Sequence, residues 1–183
     1  MRFVRFVGLG LALAPLASCG SVDPQVASAM FGVAGPVFER KADDVAVRSN
    51  FNPHRGEAQA ASQRWRASGG VIGPTTLVWV EGRQRKGGEP QLALWVSADS
   101  AEWRFYREAW SSGQRLKMSK ADSDVDCFAG NCYTSELFVV DLTPVADQSV
   151  VAVELSGGRR SVVIDIPTET IRSVRSATTA AVR

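Results

Sequence analysis

The segment Thr75–Ala98, TTLVWVEGRQRKGGEPQLALWVSA, contains two runs with strong β-strand character. Its ends, Thr75–Glu81 and Gln91–Ala98, are short and rich in Val, Leu and Trp, and a polar, glycine-bearing stretch connects them. Short runs of β-branched and aromatic residues between Gly, Pro and polar residues are typical of an antiparallel sheet. We therefore predict two successive strands here, as the start of an all-β domain.

Five further runs repeat this pattern towards the C terminus. They are Glu102–Trp110, Arg115–Lys120, Tyr133–Leu142, Val150–Leu155 and Arg160–Ile166. Gly157 and Gly158, between the last two runs, form a two-residue hairpin signal. About seven short strands in one domain predict a mainly β, antiparallel sandwich or barrel-like fold. Thr168 is a candidate N-cap for a short C-terminal helix.

The region before residue 75 has a different composition. Between residues 20 and 74 it is poor in aromatic residues and contains four prolines. We predict a lipid anchor and tether over residues 19–74, with a short helix starting at Pro24, and a β-domain with its C-terminal helix over residues 75–183. A chain that starts near Gly70 should then remain soluble. The alternative is that the runs around Val37 and Val45 add a strand to the edge of the domain.

The first eighteen residues have the layout of a secretory signal. Two arginines, Arg2 and Arg5, precede an apolar run that ends in small residues. This run is about half as long as the roughly 20 residues that a membrane-spanning helix needs. We predict that residues 1–18 are removed and that the mature chain has no transmembrane helix.

The four residues at the end of this segment, Leu16-Ala17-Ser18-Cys19, resemble the lipobox of bacterial lipoproteins. The resemblance implies that Cys19 becomes the N-terminal residue and carries a diacylglycerol thioether and an acylated amino group. In that family an aspartate after the cysteine tends to retain the protein in the inner membrane, and Gly20 occupies this position. The resemblance thus implies an outer-membrane address facing the periplasm. The alternative is an ordinary signal peptide with an incidental cysteine.

The charge of the mature chain bears on its partners. Removing Arg2 and Arg5 lowers the number of Lys and Arg residues from 21 to 19, which equals the 19 Asp and Glu residues. Binding to nucleic acid depends on a cationic excess, so we expect no nucleic-acid partner. The expected partners are the membrane, through the lipid anchor, and an envelope protein or saccharide.

Two cysteines remain after Cys19 is assigned to lipid. Cys127 and Cys132 flank the turn-forming residues Gly130 and Asn131, and an oxidising periplasm favours a disulfide between them. A redox dithiol normally has two intervening residues rather than four, and a zinc site needs further ligands. We therefore predict a structural disulfide and no metal site.

Three alternating aspartates precede this cysteine pair, at positions 122, 124 and 126. Their spacing is similar to that of a calcium-binding EF-hand loop, but Cys127 and Tyr133 stand where that loop needs a glycine and an acid. We interpret the segment as a solvated acidic loop, and we predict no cofactor.

Four of the five tryptophans, among them Trp79 and Trp95, are expected to form one core between two sheets. The alternative is that Trp65 and Trp110 lie at the surface and stack on a sugar or peptide. His54 is the only imidazole, and no nucleophile elbow or HExxH motif is present. We therefore assign no catalytic residue.

The segment Tyr106–Leu142 resembles a pattern in small proteobacterial envelope proteins, a resemblance that implies no particular activity. Our leading hypothesis is a non-enzymatic outer-membrane lipoprotein that acts as a binding or structural module. The alternative is a periplasmic hydrolase of cell-wall or carbohydrate material. A cleft lined by titratable groups with shifted pKa values would favour the alternative.

Overall fold

The computed structural model describes residues 45–68, 75–128, 130–157 and 160–183. The predicted signal peptide, the lipidated Cys19 and the short helix after Pro24 lie outside these residues.

The described chain forms eleven strands, a 3₁₀ turn and one α-helix. The strands are β1 (Val47–Asn52), β2 (Glu57–Ser62), β3 (Trp65–Ser68), β4 (Thr75–Arg85), β5 (Gln91–Ser100), β6 (Glu108–Ser111), β7 (Gln114–Leu116), β8 (Met118–Phe128), β9 (Asn131–Asp141), β10 (Val151–Gly157) and β11 (Arg160–Ile166). The 3₁₀ turn spans Thr143–Val145, and helix α1 spans Thr168–Val182. No helix in the described part of the chain is long and apolar enough to cross a membrane.

These strands build two antiparallel sheets. The large sheet has the order β1-β2-β4-β5-β9-β8, with β3 also paired to β4, and the small sheet has the order β11-β10-β6-β7. Alternate residues of the central strands point to one face, where Leu94 and Val96 of β5 meet Val153 and Leu155 of β10 in one fully buried core. The predicted mainly β fold with antiparallel sheets and a C-terminal helix is confirmed.

The predicted tether is wrong for residues 47–68, which form three strands of the large sheet. Strand β2 pairs with β4 from Glu57 opposite Arg85 to Ala61 opposite Glu81. Its inward residues are alanines, because helix α1 packs directly on this part of the sheet.

The close approach of helix α1 also explains Gly82 on β4. A Cβ atom at this position would lie 2.3 Å from Oγ1 of Thr178 on the helix. Small residues on β2 and β4 thus allow the helix to pack close to the sheet. Such residues have a lower β-strand propensity than Val or Ile, so they are harder to recognise as strands in the sequence.

Two predicted strands are interrupted where the chain passes between the sheets. Residues 101–107 connect β5 of the large sheet to β6 of the small sheet, so only the end of Glu102–Trp110 is a strand. The run Arg115–Lys120 is divided at Lys117 between β7 and β8. This division adds one strand, and β1–β3 add three, so the described residues contain eleven strands rather than about seven.

Candidate functional site

The candidate site lies on the outer face of the large sheet, which we define by Trp79, Glu81, Trp95, Leu137 and Asp141. These residues alternate along β4, β5 and β9 with the inward-facing core residues. The two indoles are register partners and stack with ring centroids 5.6 Å apart and planes at 7°. They form a small cluster with Ala61 and Leu137, so the prediction that they lie in the sheet-sheet core is wrong.

Arg64 lies over the buried end of this indole pair. Its guanidinium carbon is 4.5 Å from the centre of the Trp79 ring, within the range of a cation–π interaction. Burial lowers the pKa of the Arg64 guanidinium, although an arginine remains charged at neutral pH. A positive charge is therefore held on the outer face beside an aromatic surface.

A small pocket, which we call the Trp79 pocket, opens on this side of the indole pair. Its volume is about 90 Å³, and its lining includes Arg64, Trp79, Ser97, Asp124 and Ser135. The indole N–H of Trp79 is buried, and it has no hydrogen-bond acceptor among the described residues. Because an unsatisfied buried donor is costly, an acceptor atom of a ligand would gain by entering here.

A larger depression, the Glu81 groove, lies on the Trp95 side of the pair. It has a volume of about 570 Å³. The polar and aromatic residues that line it are Glu81, Arg83, Gln91, Trp95, Lys117, Ser119, Asp141 and Thr143. The two depressions together give the outer face an aromatic centre with polar groups on both sides.

Glu81 is the most buried carboxylate in the groove, with 2% of its surface exposed. Desolvation raises the pKa of its carboxyl group, while hydrogen bonds from Arg83 and Trp95 oppose that rise and nearby Glu57 adds to it. The Arg83 Nε atom donates to Oε1 of Glu81 at 2.7 Å. The carboxyl group is thus fixed in orientation and is easier to protonate than an exposed glutamate.

Asp141 is the second carboxylate of the groove. Glu81 and Asp141 both pair with Ala93, from opposite sides of β5, so two strand spacings, or about 10 Å, separate their backbones. Asp141 Oδ1 accepts the backbone N–H of Thr143 at 2.9 Å. The small side chain of Ala93 leaves the floor between the two carboxylates open to a ligand.

The structure does not bring the two predicted surface tryptophans together. Trp65 is 7% exposed and belongs to the main core, so its suggested position at the surface is wrong. Trp110 is 36% exposed on the small sheet, and its indole N–H donates to Glu108 at 3.3 Å. It does not line either depression of the large sheet.

Sequence reasoning did not identify Glu81. The available signal was an acid two residues after Trp79, which places both side chains on the same face of a strand. That signal does not show whether the shared face is solvated or enclosed, since the groove depends on residues of β9 and of the β7–β8 connection, far away in the sequence.

Cys127 and Cys132 lie directly opposite each other near the end of the β8–β9 hairpin, and their sulfur atoms are 2.08 Å apart. Strand β5 pairs with β9 only as far as Thr134. Beyond that point the hairpin extends as a two-stranded arm, and the disulfide joins its strands close to the turn.

Among the described residues, no group of three His, Cys, Asp or Glu side chains could hold a metal ion. His54 lies in the turn between β1 and β2, where its backbone N–H donates to Oδ1 of Asn52. It is not part of the lining of either depression.

The chain matches no protein-family model, and no curated protein or solved structure is significantly similar to it.

Proposed function

We propose that this protein is a non-enzymatic outer-membrane lipoprotein, anchored through Cys19 and facing the periplasm, whose β-domain binds a saccharide of the cell envelope. The lipobox resemblance of Leu16–Cys19 supports the anchor. The aromatic and polar lining of the Glu81 groove supports a saccharide as the ligand. The sugar chain lies along the outer face of the large sheet.

A saccharide ligand is supported by the combination of an indole ring and fixed polar groups in the lining of the Glu81 groove. Binding sites for small ligands are concave, with aromatic surface and a few polar groups that set orientation. In the Glu81 groove, Trp95 offers a flat apolar surface to the C–H face of a sugar ring. Glu81, Asp141 and Gln91 offer hydrogen-bond acceptors and donors to its hydroxyl groups.

A titration of the protein with soluble peptidoglycan glycan fragments, followed by calorimetry, tests this proposal. Trp95→Ala should weaken binding at least about tenfold, because loss of a buried aromatic contact is worth more than 1.4 kcal/mol. Gln91→Ala removes a hydrogen-bonding group from the exposed rim and should weaken binding by a smaller factor. Trp110→Ala, on the small sheet, is the matched control and should bind like the unmodified protein.

Two outcomes would contradict the ligand class. One is that no glycan fragment binds at millimolar concentration. The other is that Trp95→Ala and Trp110→Ala have the same affinity as the unmodified protein, which would remove the groove from the binding site.

One observation favours the alternative function, a hydrolase of cell-wall or carbohydrate material. The groove contains two carboxylates, and desolvation raises the pKa of one of them, Glu81. Glycosidases use such a pair, one as proton donor and the other as base or nucleophile. In this alternative Glu81 is the acid and Asp141 its partner.

Product analysis separates the two functions. Glycan fragments incubated with the protein should show no new reducing ends if the domain only binds them. New reducing ends that disappear in Glu81→Gln and in Asp141→Asn would establish the hydrolase instead.

The anchor is tested separately in cells. Cys19→Ser should abolish labelling by a fatty-acid analogue and release the protein from the outer-membrane fraction. Equal labelling and equal fractionation of the variant and the unmodified protein would refute lipidation at this residue.

A further inference from the structure

We propose that residues 101–107, AEWRFYR, form a docking site for an anionic phospholipid surface; we call this segment the aromatic loop. It connects the two sheets at the end of β5. The inference depends neither on the saccharide proposal nor on the lipid anchor, because it rests on different residues.

The first observation is the backbone of Phe105. Its φ angle is 52°, in the left-handed region that bulky residues rarely adopt, and its side chain is 55% exposed. Strained conformations of this kind persist where the surrounding structure enforces them, and they concentrate at functional sites. Because the ring is exposed, packing within the domain adds little stability that could offset the strained backbone. The strained conformation therefore holds the ring in solvent.

The second observation is the buried carboxylate that holds the loop. Glu136 on β9 is fully buried, and its Oε2 accepts the backbone N–H groups of Arg104 at 2.6 Å and Phe105 at 3.2 Å. Lys120 donates to the other oxygen at 3.0 Å. Three donors therefore fix the orientation of the carboxylate, and the carboxylate fixes the backbone of the loop.

The small sheet supports the loop from the other side. Arg107 donates its backbone N–H to the carbonyl of Ser156 at 2.8 Å. A Cβ atom at Gly157 would lie 2.0 Å from the carbonyl oxygen of Phe105, so only glycine admits the observed path. Contacts with both sheets therefore fix the backbone conformation of the aromatic loop.

The side chains on and around the loop define its partner. The ring of Trp103 lies 6.0 Å from that of Phe105, and Lys120 Nζ lies 4.8 Å from the Trp103 ring. The loop itself carries two arginines, Arg104 and Arg107, against one acid, Glu102. Arg160 pairs with Gly157, which places its backbone at the same end of the molecule.

Aromatic rings beside basic residues are typical of protein segments that lie at a bilayer surface. The rings enter the headgroup region, and each Lys or Arg near an anionic surface adds to the attraction. Lys120 is already paired with Glu136, so the net positive charge of the loop comes from Arg104 and Arg107 against Glu102. An exposed phenylalanine beside this charge fits an anionic phospholipid surface, which offers negative headgroups and an apolar interior.

The test uses the mature chain with Cys19→Ser, so that no covalent lipid contributes. Its sedimentation is measured with vesicles of phosphatidylcholine alone and of phosphatidylcholine mixed with phosphatidylglycerol. We expect binding to the mixed vesicles that weakens as salt is added, because salt screens exposed charges. Binding to the neutral vesicles should be several-fold weaker.

Phe105→Gly is the decisive variant, because glycine adopts a left-handed backbone without strain and the fold should be kept. It should reduce binding to mixed vesicles at least about tenfold, because the variant no longer gains the free energy of transferring a phenylalanine side chain out of water. Phe51→Ala is the matched control, since Phe51 is another exposed phenylalanine, at 41%, on β1. Arg104→Gln should weaken binding about fivefold in mixed vesicles only.

Three results would overturn the proposal. They are no binding of the unmodified chain to mixed vesicles, equal binding to neutral and mixed vesicles, and equal binding of Phe105→Gly and the unmodified chain. Urea unfolding of Phe105→Gly is measured in parallel. A cooperative transition like that of the unmodified chain shows that the variant is folded, whether or not the Glu81 groove binds glycan.

Discussion

The inner and outer faces of the large sheet differ by a single step along each strand. On β5, Leu94 and Val96 point inward into the main hydrophobic core, while Trp95 between them points outward to a groove that contains Glu81. Each face buries a carboxylate: three donors hold Glu136 on the inner face, and burial raises the pKa of Glu81 on the outer face. The comparison shows that the inner face serves mainly apolar packing, whereas the outer face places its polar groups beside an open groove.

The strongest test of this comparison removes the strands that extend the sheet. A chain starting at residue 70 lacks β1–β3, so it exposes the edge of β4 and the underside of helix α1. Exposed hydrophobic edges pair with other chains, and we therefore expect this product to be insoluble. A chain starting at residue 45 keeps every described strand and should stay soluble, and solubility of the shorter product would contradict the role of β1–β3.

A matched pair of leucines measures the two faces directly. Leu94 is fully buried on the inner face, whereas Leu77 is partly exposed on the outer face. Leu94→Ala should lower the free energy of unfolding by about 3 kcal/mol, because it leaves a cavity in a packed core. Leu77→Ala should lower it by about 1 kcal/mol, since less apolar area is lost. Urea unfolding of both variants checks the prediction, and equal losses would remove the distinction.

These differences also explain how much of the fold could be predicted from the sequence. The runs in Thr75–Ala98 have enough Val, Leu and Trp to be recognised as strands, and β4 and β5 lie where the pattern predicts them. Strand β2, with the sequence EAQAAS, lacks that signal because small alanines occupy the positions on which helix α1 packs. The contact is long-range, so no local pattern could reveal it.

The candidate site was less predictable for the same reason. The face on which a tryptophan lies follows from alternation, but whether that face is inner or outer depends on which sheet covers it. The sequence predicts Trp79 and Trp95 in the core, but they lie on the outer face, whereas Trp65, a candidate for the surface, lies in the core. The Cys127 and Cys132 pair was easier, because both residues belong to one local hairpin.

Glu136 gives the inner face a polar element, and its removal should have the next largest effect. In Glu136→Gln one oxygen is replaced by an NH₂ group, so the two loop N–H donors and Lys120 can no longer all be satisfied. We expect the free energy of unfolding to fall by about 2 kcal/mol, the cost of an unsatisfied buried group. Glu154→Gln, on an exposed position of the small sheet, is the control. A change below about 0.5 kcal/mol for Glu136→Gln, the range of an ordinary surface substitution, would contradict the role of this carboxylate.

Glu81→Gln, the same substitution on the outer face, should change the free energy of unfolding least, and it should raise rather than lower it. The unfolded pKa of a glutamate is about 4.3, and burial raises the folded pKa of Glu81 above its ordinary value. Between these two pKa values the folded state binds more protons than the unfolded state, so stability falls as pH rises through that window. Glu81→Gln cannot ionise and escapes this loss. Its stability relative to the unmodified protein should therefore rise with pH through the window and stay level above it.

The gain in Glu81→Gln is limited by the contacts that the carboxylate loses. The ion pair with Arg83 is one of them, but half of the Arg83 side chain is exposed, and such pairs contribute little to stability. Urea unfolding at four pH values between 4 and 8.5 measures the trend, with Ser119→Ala as a groove variant that adds and removes no titratable group. If the difference between Glu81→Gln and the unmodified protein instead falls with rising pH, the ionised carboxylate stabilises the fold. The outer face would then serve stability in the same way as the inner face, and the contrast between them would fail.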